Sequence, residues 1–262
     1  MFFSILDDLL KIRKTKPLVH HITNYVVMNV SANITLALGA SPVMAHAKPE
    51  VEDMASIAQV LYLNIGTLSD EWIEAMIMAG KMANRSHVPV LLDPVGAGAT
   101  KYRTQTANRI LKEVKVNVLK GNGGEMQSLA GEDVKVKGVD STTSASPAIA
   151  SALASKYGLI AVVTGKDDYV SDGKKTAVIS NGTDMFQKIT GAGCMLGSII
   201  ASFMAVNNDY FTASIQGLVS FEIAGEKAEA RSKLPGGFMP ALIDAISILD
   251  EDAYKLAKVK IK

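Results

Sequence analysis

A chain of 262 residues, 48% hydrophobic and 20% charged, can bury a core without staples, and a formal net charge of +1 leaves no basic stripe for nucleic acid. Its one cysteine, Cys194, excludes an intrachain disulfide, and the four histidines, at 20, 21, 46 and 87, lack the spacing of a zinc site. Asp7 and Asp8 interrupt the apolar start, so Met1 to Leu10 predicts an amphipathic helix rather than a signal. No run of about 18 uncharged apolar residues reads as a membrane span. The expectation is a soluble, cytoplasmic, single domain over 1–262.

In chain order, strand-length apolar runs alternate with segments of helical period. Leu18-Val19 leads to a helix over about Val26 to Leu38, closed by Gly39. Ser41 to Met44 is a short extended piece, and Val51 to Ala58 a helix. Val60 to Ile65 is a strand, followed by a helix over Asp70 to Asn84 with Ser69 or Asp70 as its cap. Strands at Val88–Asp93, Val116–Lys120 and Leu159–Thr164 are separated by helices at Thr104–Lys112, Glu125–Ala130 and Pro147–Tyr157. Asp172-Gly173 turns a hairpin between Tyr169–Lys174 and Thr176–Ile179. From Cys194 onward the pattern predicts helix throughout: Cys194–Val206, Tyr210–Ala230 and Pro240–Ala257, with Lys255 to Lys262 as a solvated helix end. Runs that are apolar without alternation indicate strands covered on both faces, hence an α/β layered fold with a mostly parallel sheet.

Ligands of open α/β sheets bind beyond the carboxyl ends of the strands. Here those ends carry Asn64-Ile65-Gly66-Thr67, Asp93-Pro94-Val95-Gly96-Ala97-Gly98, Lys120-Gly121-Asn122-Gly123-Gly124-Glu125 and Thr164-Gly165. Asp93 and Glu125 have the chemistry to share Mg²⁺ with a phosphate; alternatively, each caps the turn beside it. Lys120 and Thr164 can reach phosphate oxygens, or serve as a strand-end charge and a turn hydroxyl. His20 to Tyr25 and Pro42 to His46 mix polar and thioether groups suited to a small apolar ligand, although Met44 also suits a core. The Thr190-Gly191-Ala192-Gly193-Cys194 turn opens an apolar helix. Its amides can cradle a phosphate, or it can be a plain tight turn.

Together these blocks resemble the hydroxyethylthiazole kinases of thiamine salvage, members of the ribokinase-like fold. The matching stretches are His20–Asn24 with Val26–Asn33, Leu38–Ala47, Leu63–Leu68, Leu92–Arg103, Lys120–Gly131, Gly138–Ser141, Val163–Gly173 and Ile189–Cys194. Asp-Pro-Val-Gly-Ala-Gly and Ser-Pro-Val-Met-Ala-His-Ala are the specific parts. The resemblance implies ATP-dependent phosphorylation of the hydroxyl of 4-methyl-5-(2-hydroxyethyl)thiazole, with no membrane or nucleic-acid partner. It puts Met44, Asn24 and Gly191 at the substrate, Lys120 and Thr164 at ATP, and Asp93 and Glu125 at Mg²⁺. The turn Gly191, Gly193 and Cys194 falls at the reacting phosphoryl, and the family forms homotrimers with active sites between subunits. Cys194 stands where related sugar kinases carry an aspartate base; it either assists or lines the site. The same fold also serves nucleotide-dependent hydrate dehydratases, and a non-catalytic thiazole or nucleotide sensor is the other alternative.

Overall fold

The computed structural model describes residues 2–131 and 145–262, with side chains described from Ile5. The Gly138–Ser141 block lies outside the described residues. Among the described residues, nine strands form one sheet in the order β2-β1-β3-β4-β5-β6-β7-β8-β9. They are β1 (Leu18–Ile22), β2 (Ser41–Val43), β3 (Val60–Asn64), β4 (Val90–Asp93), β5 (Val118–Asn122), β6 (Ile160–Thr164), β7 (Asp168–Ser171), β8 (Thr176–Ile179) and β9 (Val259–Ile261). The first six run parallel, and β6 to β9 are antiparallel neighbours.

Helices cover both faces, as the unbroken apolar strands require. One layer holds α1 (Phe2–Thr15), α2 (Met28–Leu38), α8 (Ala192–Met204), α9 (Tyr210–Arg231), α10 (Pro235–Ser247) and α11 (Glu251–Tyr254). The other holds α3 (Val51–Ile57), α4 (Asp70–Arg85), α5 (Lys101–Glu113), α6 (Gly123–Ala130) and α7 (Pro147–Tyr157). Alternation along each strand sorts the side chains between them. Val19, Tyr62, Leu91, Val118 and Val162 enter the core under α8 and α9, whereas Ile22, Leu61, Leu63, Leu92, Leu119 and Val163 enter the core under α4 to α7.

Local chemistry sets the element ends. Ser69, Thr100 and Ser146 cap α4, α5 and α7 by accepting backbone N–H groups of Trp72, Arg103 and Ile149. Gly39 closes α2 in the left-handed region, at φ 111°. None of the helices is long and apolar enough to cross a membrane, among the described residues.

The C-terminal part corrects the all-helical expectation. Lys258-Val259-Lys260-Ile261-Lys262 alternates apolar and charged residues, the period of a strand, and it pairs as β9 along the edge of β8. Its lysines suit an edge strand, where charge discourages further pairing. The helix expected over Pro240–Ala257 is two. α10 starts five residues earlier, with Pro235 in its first turn, and carries Pro240 inside; Asp250 then caps the separate α11. α8 likewise begins at Ala192 rather than Cys194, because Gly191 adopts φ 85° and ends the preceding extended chain there. A 3₁₀ turn over Asp184–Lys188, capped by Thr183, had no sequence counterpart.

Candidate active site

At the carboxyl ends of the parallel strands, alternation aims Asn64 of β3, Asp93 of β4, Lys120 of β5 and Thr164 of β6 at the layer that contains α8. Asn64 and Asp93 are register partners on adjacent strands. α8 packs directly over β1, β3 and β4, so its first turn lies on this polar set.

Asp93 is the hub. Its Oδ2 accepts from Lys120 Nζ at 2.9 Å, Tyr62 Oη at 3.1 Å and Asn64 Nδ2 at 3.2 Å. Its Oδ1 is buried without a hydrogen-bond partner among the described residues. Lys120 spends a second of its three donors on the Gly193 carbonyl, at 2.9 Å, which leaves one. Burial opposes the ammonium charge, yet the Asp93 carboxylate, with Cys194 and Glu125 nearby, holds Lys120 above its ordinary range. Removing one partner of so buried a pair would cost about 3–5 kcal/mol.

The turn into α8 has no side-chain cap. Met195 is the first amide satisfied within the helix, by Gly191 O at 2.8 Å, so the N–H groups of Ala192, Gly193 and Cys194 precede the ladder. They converge with the positive end of the helix dipole, which favours an anion. Gly191 is required on two counts: its φ of 85° and the Val27 side chain, which a Cβ there would meet.

Cys194 packs into the same cluster. Asn64 Nδ2 lies 3.2 Å and Asn24 Nδ2 3.7 Å from its sulfur, and Asn24 also donates to Asn64 Oδ1 at 2.8 Å. Burial and the neighbouring Asp93 charge push the thiol up to about 11. At neutral pH it is therefore a thiol and no proton acceptor. His21, one strand over, has its ring edge against Tyr62; burial, then His20, lowers it to about 3, so it stays neutral.

Glu125 lies in the first turn of α6, directly after β5. It forms a capping box with Asn122 at the start of α6, with Oε2 accepting Asn122 N–H at 2.9 Å, while Oε1 accepts Gly96 N–H at 2.8 Å. The capping alternative thus describes its contacts, and it ties the loop after β4 to the loop after β5. Burial and then Asp93 raise its proton affinity. Each oxygen keeps a lone pair, and with the orphaned Asp93 Oδ1 the donor set fits Mg²⁺, which takes one or two carboxylates beside phosphate and water. Groups of three or more metal-ligating side chains are absent among the described residues.

The remaining sequence candidates are more peripheral. Thr164 is half-buried, its hydroxyl 3.4 Å from Gly121 O. Met44 is half-buried just past β2, on the strand beside β1, at the end from which the chain runs to Asn24. Tyr62 escaped the sequence reading, where it is one more apolar strand residue, and Asn64 stood there only as the polar end of its strand; their two-residue spacing, set against Asp93, links them. Arg103 was also missed: its guanidinium donates to Ile65 O, Gly66 O and Val95 O at 2.8–2.9 Å, clamping the loops after β3 and β4.

Comparison with known proteins follows the same lines. The model of the hydroxyethylthiazole kinase family matches residues 9–252. A hydroxyethylthiazole kinase of Caldivirga maquilingensis is 59% identical over 97% of this chain and 96% of its own. The solved structure of a hydroxyethylthiazole kinase protein from Pyrococcus horikoshii OT3 is 41% identical, covers 99% of both chains and superposes with a TM-score of 0.92. A ribokinase-like superfamily protein from Enterococcus faecalis, at 15% identity over 87% of this chain and 86% of its own, shares the fold with a TM-score of 0.66.

Proposed function

The chain belongs to the hydroxyethylthiazole kinase family, and from that membership we infer that it transfers a phosphoryl group from ATP to the hydroxyl of 4-methyl-5-(2-hydroxyethyl)thiazole. The product is the thiazole phosphate of thiamine salvage, and the enzyme is a phosphotransferase with an alcohol as acceptor. The observation that carries this reading is the uncapped first turn of α8 lying over Asp93 and Lys120.

Phosphoryl transfer asks for positioning and charge stabilisation more than covalent chemistry. The amides of Ala192, Gly193 and Cys194 receive the oxygens of the moving phosphoryl group, and Gly191, at the head of that turn, borders the substrate's hydroxyl end. Lys120 offers its third donor, and Thr164 its hydroxyl, to the nucleotide phosphates. Asp93 and Glu125 would hold Mg²⁺, which would neutralise phosphate charge. Met44 and Asn24 border the thiazole, and Asn24 also fixes Asn64 and through it Asp93. Cys194, as a neutral thiol, lines the hydroxyl end rather than deprotonating it.

The working unit in this reading is one domain over 1–262, assembled in the cytoplasm as a homotrimer with active sites between subunits. Exposed Tyr25 and Val26, next in sequence to Asn24, give the apolar surface that a neighbouring copy covers. ATP consumption with hydroxyethylthiazole, set against pyridoxine-type and hydroxymethylpyrimidine alcohols, tests the assignment. The expected result is a preference for the thiazole in kcat/KM of at least about tenfold. Turnover with another alcohol and none with the thiazole would overturn it.

A further inference from the structure

Tyr62 is wholly buried on β3, yet its hydroxyl lies among three polar groups. Its single proton is shared between Asp93 Oδ2, 3.1 Å away, and Cys194 O, 3.2 Å away, and Asn64 Nδ2 donates to the hydroxyl at 3.2 Å. A phenol is protonated at neutral pH, so the hydroxyl is a donor here. Its ring fits a notch in α8: a Cβ at Gly197 would collide with the hydroxyl oxygen, so the helix meets the tyrosine as bare backbone. Lys120 makes the matching contact one residue earlier, to Gly193 O at 2.9 Å. Two consecutive carbonyls of the turn are thus held by side chains that share one carboxylate oxygen, Asp93 Oδ2. Because a peptide unit is planar, holding the Gly193 carbonyl fixes the Cys194 N–H, and holding the Cys194 carbonyl fixes the Met195 N–H that closes the turn.

We propose that Tyr62 is a positioning residue for phosphoryl transfer, its hydroxyl setting the height of the α8 first turn above Asp93. The proposal rests on the kinase reading and concerns the transition state rather than substrate binding. Tyr62→Phe keeps the ring and removes only the tie. Its kcat should fall about tenfold, the worth of one buried hydrogen bond, with KM for ATP and thiazole within about twofold of wild type. The affinity for ADP with aluminium fluoride and thiazole, a mimic of the transferring phosphoryl, should fall by the same factor while that for ADP alone holds. Gly197→Ala, which forces the helix off the hydroxyl from the other side, should reproduce this split. Wild-type kcat in Tyr62→Phe with only a lower melting temperature makes the tyrosine merely structural and overturns the proposal, as does an equal loss in KM. A wild-type enzyme without thiazole-dependent turnover fails the kinase reading itself, and the proposal with it.

Discussion

A thiol in the first turn of a helix ordinarily gains acidity from the free amides around it. At Cys194 the opposite prevails, because burial removes the water that would solvate a thiolate and Asp93 adds a like charge. Cys194→Ser should therefore leave the pH dependence of kcat unchanged in shape between about pH 6 and 9, with kcat itself within about tenfold of wild type. Loss of a limb of that profile in the serine variant would make the sulfur a proton acceptor after all. The residues of this cluster were unevenly legible. Asp93, Lys120, Glu125 and Gly191 announce themselves as polar or glycine punctuation after apolar strands. Asn64 is legible in the same way, as a polar strand end, but Tyr62 is not, because its role comes from its place beside β4 and from the notch at Gly197, which exist only once the layers pack. The capping contacts of Glu125 and the engagement of Lys120 with a main-chain carbonyl are equally products of assembly.

Between β7 and α9 two carboxyls are packed out of water. Asp168, at the head of β7, has its proton affinity raised to about 7, by burial first, although Gly165 N–H and Lys120 pull the other way. Glu222 of α9 is held well above the usual carboxylate range, by burial, then Asp168 and Glu226. Gly182 passes so close that a Cβ would strike the Glu222 carboxyl. A carboxyl with a raised native pKa favours the folded state while protonated. Its stabilisation is complete below the unfolded value near 4 and is lost as pH rises through about 7. The urea midpoint should fall between pH 5 and 8, and Asp168→Asn, which keeps the acceptor for Gly165, should flatten that slope. An unchanged slope would remove Asp168 as its source. Among the described residues, element existence was readable from periodicity for most of the chain; the 3₁₀ turn over Asp184–Lys188 was missed, and the larger failure lies in the last thirty or so residues. There, the composition of α10 and α11 is helical enough to hide a break, and a five-residue alternation is short enough to pass for a charged helix end.

At the scale of the whole molecule, six parallel strands deliver their carboxyl ends to one edge, and α8 closes over that edge from one face. That much follows from unbroken apolar runs, which demand helices on both sides. What the sequence alone does not carry is which face each strand-end residue takes, since that is set by register and not by residue type. The resulting juxtaposition of an uncapped helix start with Asp93 is the core of the functional reading, and Asp93→Asn probes it with the least change of shape. Steady-state kinetics of this variant, paired with calorimetry of hydroxyethylthiazole binding, should show kcat reduced about 10²–10³-fold and thiazole affinity within about threefold of wild type. A folded Asp93→Asn enzyme with near-wild-type kcat would place the reaction somewhere other than beneath the first turn of α8.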